Sequence, residues 1–390
     1  MNRRLAMLVF CQGMLLVNNV VFTTINGLVG FALAPRGWMA TLPITGYVAG
    51  GALATAIVAR HQRRFGRRRT FQIGLMVAIA SAALCAVAAT VHSFALLLLA
   101  TLMAGYYNAN GSLYRFAAVE LVRSAAKERA ISWVLAGGVI GAVIGPNLAT
   151  ASRDALGQPF AGAYVALIAV ALLSLAVMSA IDFPPLPGQG DARAAGRPLA
   201  QIVRQPLFVI AAASCAIGYG IMNLLMAATP IAMSLCGIAF GPTAQVLQWH
   251  VLGMFLPSFF TGRLIRRWGV LPVMATGLAL MVGCVAFALS GQDVAHFLGA
   301  LTALGVGWNF LFIGGTTLAT EAWRPEEKTR AQAALDFCVY ATMTVSSFAS
   351  GALVTTGGWR SMNLGSIVPL SLLAAALLRL ARLQRAPAAR

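Results

Sequence analysis

Several amide and aromatic side chains lie inside long apolar stretches of this chain, and their chemistry is hydrogen bonding rather than catalysis. If those stretches cross a membrane, each polar group is costly and should face a protein partner or a water-filled cavity. Amides together with aromatic rings suit a flat organic solute that forms hydrogen bonds. The alternative is that each amide joins one helix to another. The candidate cavity residues are Asn19, Asn108, Asn110, Asn223, Gln248, Trp308 and Asn309.

Two ionisable side chains in the same stretches could act through their charge. Arg115 is the only basic residue well inside a stretch, so it either attracts a substrate anion or extends toward the polar edge of the membrane. His250 lies mid-stretch and is the best candidate for proton coupling, because imidazole titrates near neutral pH; the alternative is a packing histidine. Acidic residues are nearly absent there, which argues against a multiply cationic substrate. The six cysteines and four histidines have no metal-ligand spacing, so we expect neither metal nor cofactor.

Twelve apolar stretches must position these residues. The 390-residue chain is 59% hydrophobic and only 10% charged, which is too few charges to keep the surface of a soluble protein wet. A helix satisfies its own backbone in lipid, and each stretch is long enough to cross a bilayer as one. The sequence therefore predicts an all-α membrane protein. The predicted spans are 5–33, 39–59, 70–91, 94–119, 130–151, 161–181, 206–232, 242–262, 271–290, 294–319, 331–355 and 360–380.

Nearly all Lys and Arg residues lie at the two ends of the chain and in every second gap between spans. The other gaps carry only Arg36, Arg153 and Arg360. Loops rich in Lys and Arg stay on the cytoplasmic side, so both termini are expected in the cytoplasm and the chain in the cytoplasmic (inner) membrane. The formal net charge of +18 reflects these loops. The basic residues form no continuous stripe, which argues against a nucleic-acid partner.

The chain divides into two related halves. A Pro- and Gly-rich segment, 183–205, has the composition of a flexible linker, so we predict helical bundles at 1–182 and 206–390. Short sequences recur in order across this segment at nearly one offset, which favours duplicated six-helix halves. Among them, Arg63-Arg64-Phe65-Gly66 matches Arg266-Arg267-Trp268-Gly269, Tyr107-Asn108 matches Trp308-Asn309, and Glu120 matches Glu321.

The loop after span two resembles the signature G-x-L-x-D-R-x-G-R-R of the major facilitator superfamily, and the resemblance covers essentially the whole chain. The matching residues are Arg64, Gly66, Arg67 and Arg68. The Gly, Leu and Asp of the signature are replaced by Ala59, His61 and Arg63. The resemblance implies a monomeric, proton-coupled secondary transporter with twelve helices in two pseudo-symmetric six-helix bundles. It would move a small neutral or anionic organic solute by alternating access through a cavity lined by spans one, four, seven and ten.

The missing Asp has a further implication, since in the family that carboxylate helps to lock the two halves together on the cytoplasmic side. We expect Asp336 to replace it by pairing with one of the arginines after span two. Glu120 is expected to pair with the same arginines, and Glu321 with those after span eight. The expected cytoplasmic gate consists of Arg63, Arg64, Gly66, Arg67, Arg68, Glu120, Arg266, Arg267, Gly269, Glu321 and Asp336.

Span five contains Gly141, Gly145 and Pro146, the sequence G-x-x-x-G-P that proton-coupled exporters of the family carry. The same spacing of small residues also permits ordinary helix packing. The direction of transport therefore stays open between an importer of a vitamin-like nutrient and a proton-antiport exporter of drugs or metabolites. Two other classes are remote alternatives. A membrane-embedded enzyme would need a motif such as HExxH, and a receptor would more naturally carry a soluble domain.

Overall fold

The computed structural model describes residues 2–122, 130, 133–134, 136–184 and 196–385, and these are almost entirely helical, with no strand among them. Most of the predicted linker, 185–195, and the start of the predicted fifth span lie outside the described residues. Short 3₁₀ turns cover Gly37–Met39 and Pro325–Glu327. The helices are α1 (Arg3–Leu33), α2 (Leu42–Thr90), α3 (Phe94–Gly111), α4 (Tyr114–Glu120), α5 (Gly138–Ser152), α6 (Ala161–Ser179), α7 (Leu199–Val203), α8 (Pro206–Leu235), α9 (Phe240–Phe255), α10 (Ser258–Trp268), α11 (Val270–Ser290), α12 (Val294–Ala319), α13 (Lys328–Thr356) and α14 (Gly358–Arg385).

The helices make twelve passes between two faces, which confirms the all-α membrane fold predicted from the sequence. α2 makes two passes, whereas α3 with α4, and α9 with α10, each make one. Helices α1–α6 form the N half and α8–α14 the C half, and both pack around buried apolar side chains. The terminal face is the one that contains the start of α1, Gly66 and Gly269. The opposite, sealed face contains Thr41 and Gly351.

Two glycines reverse the chain at equivalent points of the halves. α2 turns at Gly66, with φ 76° and ψ 173°, and α10 meets α11 at Gly269, with φ 88° and ψ 164°. A Cβ is essentially excluded from this region of backbone conformation, so both turns require glycine. The two halves therefore use the same reversal, as the repeated Arg-Arg-x-Gly sequence indicates.

The eighth pass is broken at Pro257, whose missing N–H interrupts the helical hydrogen-bond pattern between α9 and α10. The side chain of Asn309 in α12 bridges this break. Its Nδ2 donates to the Met254 carbonyl and to Ser258 Oγ, at 2.7 Å each, and its Oδ1 accepts from Thr261 at 2.7 Å. The break is therefore held by a buried amide from a neighbouring helix rather than left to solvent.

The two halves are in contact at the sealed face. Thr41 Oγ1 donates to the Ser347 carbonyl at 2.6 Å and accepts from the Gly351 N–H at 2.9 Å. Beside this contact, the rings of Trp38 and Phe348 meet edge to face at 5.9 Å. At the terminal face, by contrast, no described hydrogen bond or ion pair at the helix ends joins the N half to the C half. Each of these contacts lies within one half or joins residues 196–205 to the C half. Among the described residues, the two halves are therefore hydrogen-bonded to each other at the sealed face but not at the terminal face.

Candidate functional site

A polar cluster in the N half joins three helices. Asn19 Nδ2 of α1 donates to Asn108 Oδ1 of α3 at 3.2 Å, and the Tyr47 hydroxyl of α2 donates to Asn19 Oδ1. Both asparagines are only partly buried. The structure brings the predicted residues Asn19 and Asn108 together. It adds Tyr47, which is 6% exposed; a tyrosine buried in an apolar span generally has a hydrogen-bond partner, and this was the signal available in the sequence.

An aromatic cluster in the C half contains Tyr219, Trp308 and Phe312. The Trp308 and Phe312 rings stack at 5.1 Å with only 9° between their planes, and Tyr219 meets both edge to face, at 5.1 and 5.4 Å. Trp308 is 6% exposed, and its Nε1 has no hydrogen-bond partner within the described part of the chain. The indole N–H is therefore a buried donor that no described residue satisfies. Sequence reasoning identified Trp308 but missed Phe312, because a phenylalanine in an apolar span has no distinguishing signal.

The two clusters differ in chemistry. The cluster of the N half offers amide hydrogen bonds, and the cluster of the C half offers flat aromatic surfaces.

Two charged side chains lie within the spans. Arg115 of α4 is partly buried, its guanidinium lies 4.9 Å from the Phe116 ring centroid, and its Nε has no partner among the residues described. Asp336 of α13 is also partly buried and makes no ion pair with any described residue. The expected pairing of Asp336 with Arg63, Arg64 or Arg67 is therefore not the one in this structure.

Three of the predicted cavity residues are instead structural, because each amide is consumed by a neighbouring helix. Asn110 donates to the Thr70 carbonyl at 2.6 Å, holding α3 against α2. Asn223 of α8 donates to Ser346 Oγ at 3.0 Å and Ser347 Oγ at 2.7 Å of α13. Asn309 bridges the Pro257 break described above. Their exposures are 1%, 3% and 1%, so each amide is buried at a contact between helices.

Two more predicted residues lie at helix contacts. Gln248 accepts a hydrogen bond from Asn147 Nδ2 at 3.1 Å, a contact between the halves along α5 and α9. His250 is fully buried, and its Nδ1 donates to the Leu301 carbonyl of α12 at 2.7 Å. A histidine enclosed between α9 and α12 has no route to exchange protons with the cavity, so the structure gives no support to its expected role in proton coupling. No group of three or more metal-binding side chains occurs in the described residues.

The residues of the expected gate are divided between ion pairs and exposed side chains. Glu120 accepts two hydrogen bonds from Arg67, at 2.6 and 3.2 Å, and Arg68 pairs with Asp182 at 3.1 Å; both pairs lie within the N half. The remaining charged members are exposed and form no ion pair in the described ranges, so Glu321 does not pair with either arginine after span eight. These exposed residues are Arg63, Arg64, Arg266, Arg267 and Glu321.

The glycines of the fifth span serve close packing. A Cβ at Gly141 would lie 2.5 Å from Leu16 Cβ, and one at Gly145 would lie 2.9 Å from Val20 Cβ. Pro146 follows them inside α5 and is also buried. The small residues therefore allow α5 to contact α1 along its length, which is the packing alternative of the sequence analysis.

Comparison with known proteins extends over the whole chain. A model of the Major Facilitator Superfamily matches residues 5–247 and, in a second match, residues 215–390. Riboflavin transporter RfnT of Brucella anthropi is 38% identical over 363 residues, which cover 93% of this chain and 91% of that protein. The uncharacterized MFS-type transporter YdeG of Bacillus subtilis is 26% identical over 370 residues, which cover 90% of this chain and 85% of that protein.

Two solved structures resemble this fold at low sequence identity. A bacterial homologue of the human lysosomal transporter Spinster, in an inward-facing and occupied conformation, has a TM-score of 0.74 at 15% identity and covers 97% of this chain and 96% of its own. The nucleoside transporter NupG has a TM-score of 0.72 at 12% identity and covers 96% of this chain and 99% of its own. At these identities the similarity concerns the fold alone.

Proposed function

The chain belongs to the Major Facilitator Superfamily, and on that premise we propose that it transports riboflavin, or a solute of the same flat heteroaromatic class, across the membrane. The proposal draws on a relative that is named for riboflavin and is 38% identical to nearly the whole chain. It also draws on the chemistry of the amide cluster and of the aromatic cluster.

The observation that carries the proposal is that one half contains an amide cluster and the other an aromatic cluster. Riboflavin combines a planar three-ring system, whose edge carries carbonyl and N–H groups, with a chain of hydroxyl groups. The rings can stack on the surface formed with Trp308, and the indole N–H can donate to a ring acceptor. Asn19 and Asn108 can both donate to and accept from hydroxyl groups. The solute is neutral, so it requires no countercharge in the spans.

Transport proceeds by alternating access. The contacts of Thr41 hold the two halves together at the sealed face, and no described hydrogen bond or ion pair joins them at the terminal face, as one of the two states of such a cycle requires. The other state requires those contacts to break and the terminal ends of the halves to close. A solute enters the space from one side and leaves from the other without a continuous pore.

The terminal face is cytoplasmic and the protein is an importer in the inner membrane. The orientation follows from the concentration of Lys and Arg at this face. Import follows from the solute class, since a vitamin is a compound that cells take up. The glycines of the fifth span give export no support, because their contacts with α1 account for them. Uptake is coupled to protons and the transporter acts as a monomer.

Equilibrium binding to the purified protein in lipid nanodiscs tests the solute class. Riboflavin should bind, and lumichrome, which keeps the three rings but lacks the hydroxyl chain, should bind more weakly. Adenosine and ribitol separate recognition of the rings from recognition of the hydroxyl chain. Adenosine is a smaller heteroaromatic compound, and ribitol is the hydroxyl chain alone. If folded protein bound adenosine but not riboflavin, the proposed solute would be wrong.

A further inference from the structure

At the sealed face, the guanidinium of Arg153 lies against two phenylalanine rings that belong to different halves. Its central carbon is 5.4 Å from the ring centroid of Phe160, the residue before α6, and 5.6 Å from that of Phe240, the first residue of α9. The two rings also meet each other edge to face at 5.0 Å. Both cation-to-ring distances lie within the roughly 6 Å over which an aromatic face attracts a cation. The N half therefore contributes Arg153 and one ring, and the C half contributes the other ring.

The two rings are the main partners of the Arg153 side chain. The neighbouring Asp154 carboxylate lies 3.5 Å from its Nε, but the Asp154 side chain is 71% exposed, so solvent screens this attraction. Nε has no hydrogen-bond partner in the described part of the chain. Arg153 is also one of only three basic residues in the gaps of this face, the side of a membrane on which Lys and Arg are disfavoured. An arginine at this place needs an explanation.

The backbone of Phe160 is strained at the same point. Its φ of 67° and ψ of −8° lie in the left-handed region, which is costly for a bulky side chain. Its N–H donates to the Arg153 carbonyl at 2.7 Å, which closes the loop between α5 and α6 and holds the two residues together. The Phe160 ring is buried. Strain of this kind persists where the surroundings impose it, and it is typical of functional and switch regions.

Apolar contacts join the halves directly beside these rings. Phe240 and Ala244, one turn apart in α9, pack in the same buried cluster as Phe160 and Ala149 of the N half. On the other side, Ala40 of the N half packs in the cluster of the C half, next to the hydrogen-bonded Thr41. The sealed face thus has two seams between the halves. We call them the aromatic seam, at Arg153, Phe160 and Phe240, and the hydrogen-bonded seam, at Thr41 and Gly351.

We propose that Arg153 is the latch of the aromatic seam: its contact with Phe240 stabilises the form in which the sealed face is shut, and this contact breaks when that face opens. Phe160 belongs to the same half as Arg153 and is tied to it through the backbone, so its ring stays with the cation. The interaction lost on opening is therefore the one with Phe240. Both seams join the same two halves, so the hydrogen-bonded seam opens in the same step. The inference rests on the alternating-access part of the proposed function and not on the identity of the solute.

The rate at which a buried thiol is alkylated measures opening of the sealed face without any solute. Ala40→Cys places the thiol at the hydrogen-bonded seam, where Ala40 is fully buried, after Cys236 and Cys338 are changed to Ser. In nanodiscs, a hydrophilic maleimide should modify this thiol at a rate proportional to the fraction of molecules that are open. Arg153→Gln and Phe240→Leu should each raise the rate by roughly 2- to 30-fold, the range that one cation–π contact supports.

A combined variant separates a latch between the halves from a residue that only stabilises its own loop. If Arg153 acts through the Phe240 ring, Arg153→Gln should raise the alkylation rate little further in a Phe240→Leu background. A residue that only stabilised the loop would show its full effect in both backgrounds. Asp154→Asn is the matched control, since it removes the ion pair and leaves both rings, so the rate should stay unchanged.

A second thiol, Ala244→Cys in the aromatic seam, provides the same measurement if Ala40→Cys does not fold. Unchanged alkylation rates in Arg153→Gln and Phe240→Leu, or fully additive effects in the combined variant, would overturn the proposal. Neither result depends on whether riboflavin binds, so the latch and the solute assignment can fail separately.

Discussion

Asn108 and Trp308 occupy equivalent positions of the two halves. Each lies three residues after a glycine at which its helix closely approaches the backbone of a neighbouring helix. A Cβ added at Gly105 would lie 2.3 Å from the Gly51 nitrogen, and a Cβ added at Gly305 would lie 2.3 Å from the His250 carbonyl oxygen. The repeated fold thus places an amide in one half at the position where it places an indole in the other. This pairing is the basis of the proposed solute site.

Asn108→Ala should weaken riboflavin binding by about 3- to 10-fold, the equivalent of one hydrogen bond of about 0.5–1.5 kcal/mol. The melting temperature should change little, because Asn108 is partly exposed and its partner Asn19 keeps the bond from Tyr47. Titration of purified protein with riboflavin provides the measurement. Asn110→Ala is the matched control two residues away. It removes a buried bond to the Thr70 carbonyl and should lower the melting temperature without a comparable change in affinity.

Replacement of Trp308 should separate stacking from hydrogen bonding. Trp308→Ala removes the ring that stacks on Phe312 and should weaken riboflavin binding by at least about tenfold, since aromatic pairs contribute about 0.5–1.5 kcal/mol beyond their buried area. Trp308→Phe keeps a ring but loses the N–H, so its affinity for riboflavin should lie between that of the wild type and that of Trp308→Ala. Trp249→Ala alters an exposed tryptophan of α9 and should leave the dissociation constant unchanged. Equal losses at Trp249 and Trp308 would contradict the site.

Gly66→Ala should destabilise the protein by about 1–3 kcal/mol, because alanine is strained at φ 76° and ψ 173°. Thermal unfolding in detergent should show a lower melting temperature, and Gly269→Ala should behave in the same way. Gly262→Ala provides the control, since no heavy atom lies within 4 Å of an added Cβ there and its φ lies outside the positive range. Equal stability of the Gly66 and Gly262 variants would contradict the argument from backbone conformation.

Glu327 should make stability depend on pH in the acidic range. The Arg197 side chain and the Arg324 N–H donate to this buried carboxylate and lower its pKa below the ordinary value. A lowered folded-state pKa means that the stabilisation is complete above the pKa of an unfolded glutamate, about 4.3, and is lost as the pH falls through the folded-state pKa. The melting-temperature difference between wild type and Glu327→Gln should therefore be constant from neutral pH to about pH 5 and shrink below it. Glu326→Gln, at an exposed neighbour, should show no such difference.

The sequence alone predicted the helical passes well, because lipid requires each long apolar segment to satisfy its own backbone. It also predicted that the turns at Gly66 and Gly269 correspond. The site was harder to predict. Asn108 and Asn110 look alike in the sequence, yet one is partly exposed and bonds to Asn19, whereas the other is buried and bonds to Thr70. This difference is set by helix rotation, which composition does not contain.

The sequence repeat and the structure align the two halves one residue apart. The match of Tyr107-Asn108 with Trp308-Asn309 aligns Asn108 with Asn309, whereas the close-approach glycines align it with Trp308. One residue corresponds to about 100° around a helix, which turns Asn309 toward the Pro257 break.

Uptake of riboflavin by proteoliposomes with an imposed inward proton gradient tests the central claim most directly. The account predicts that riboflavin accumulates, that unlabelled riboflavin competes, and that accumulation is reduced in Asn108→Ala and Trp308→Ala but not in Trp249→Ala. Folded protein that neither accumulated nor exchanged riboflavin under any gradient would contradict it.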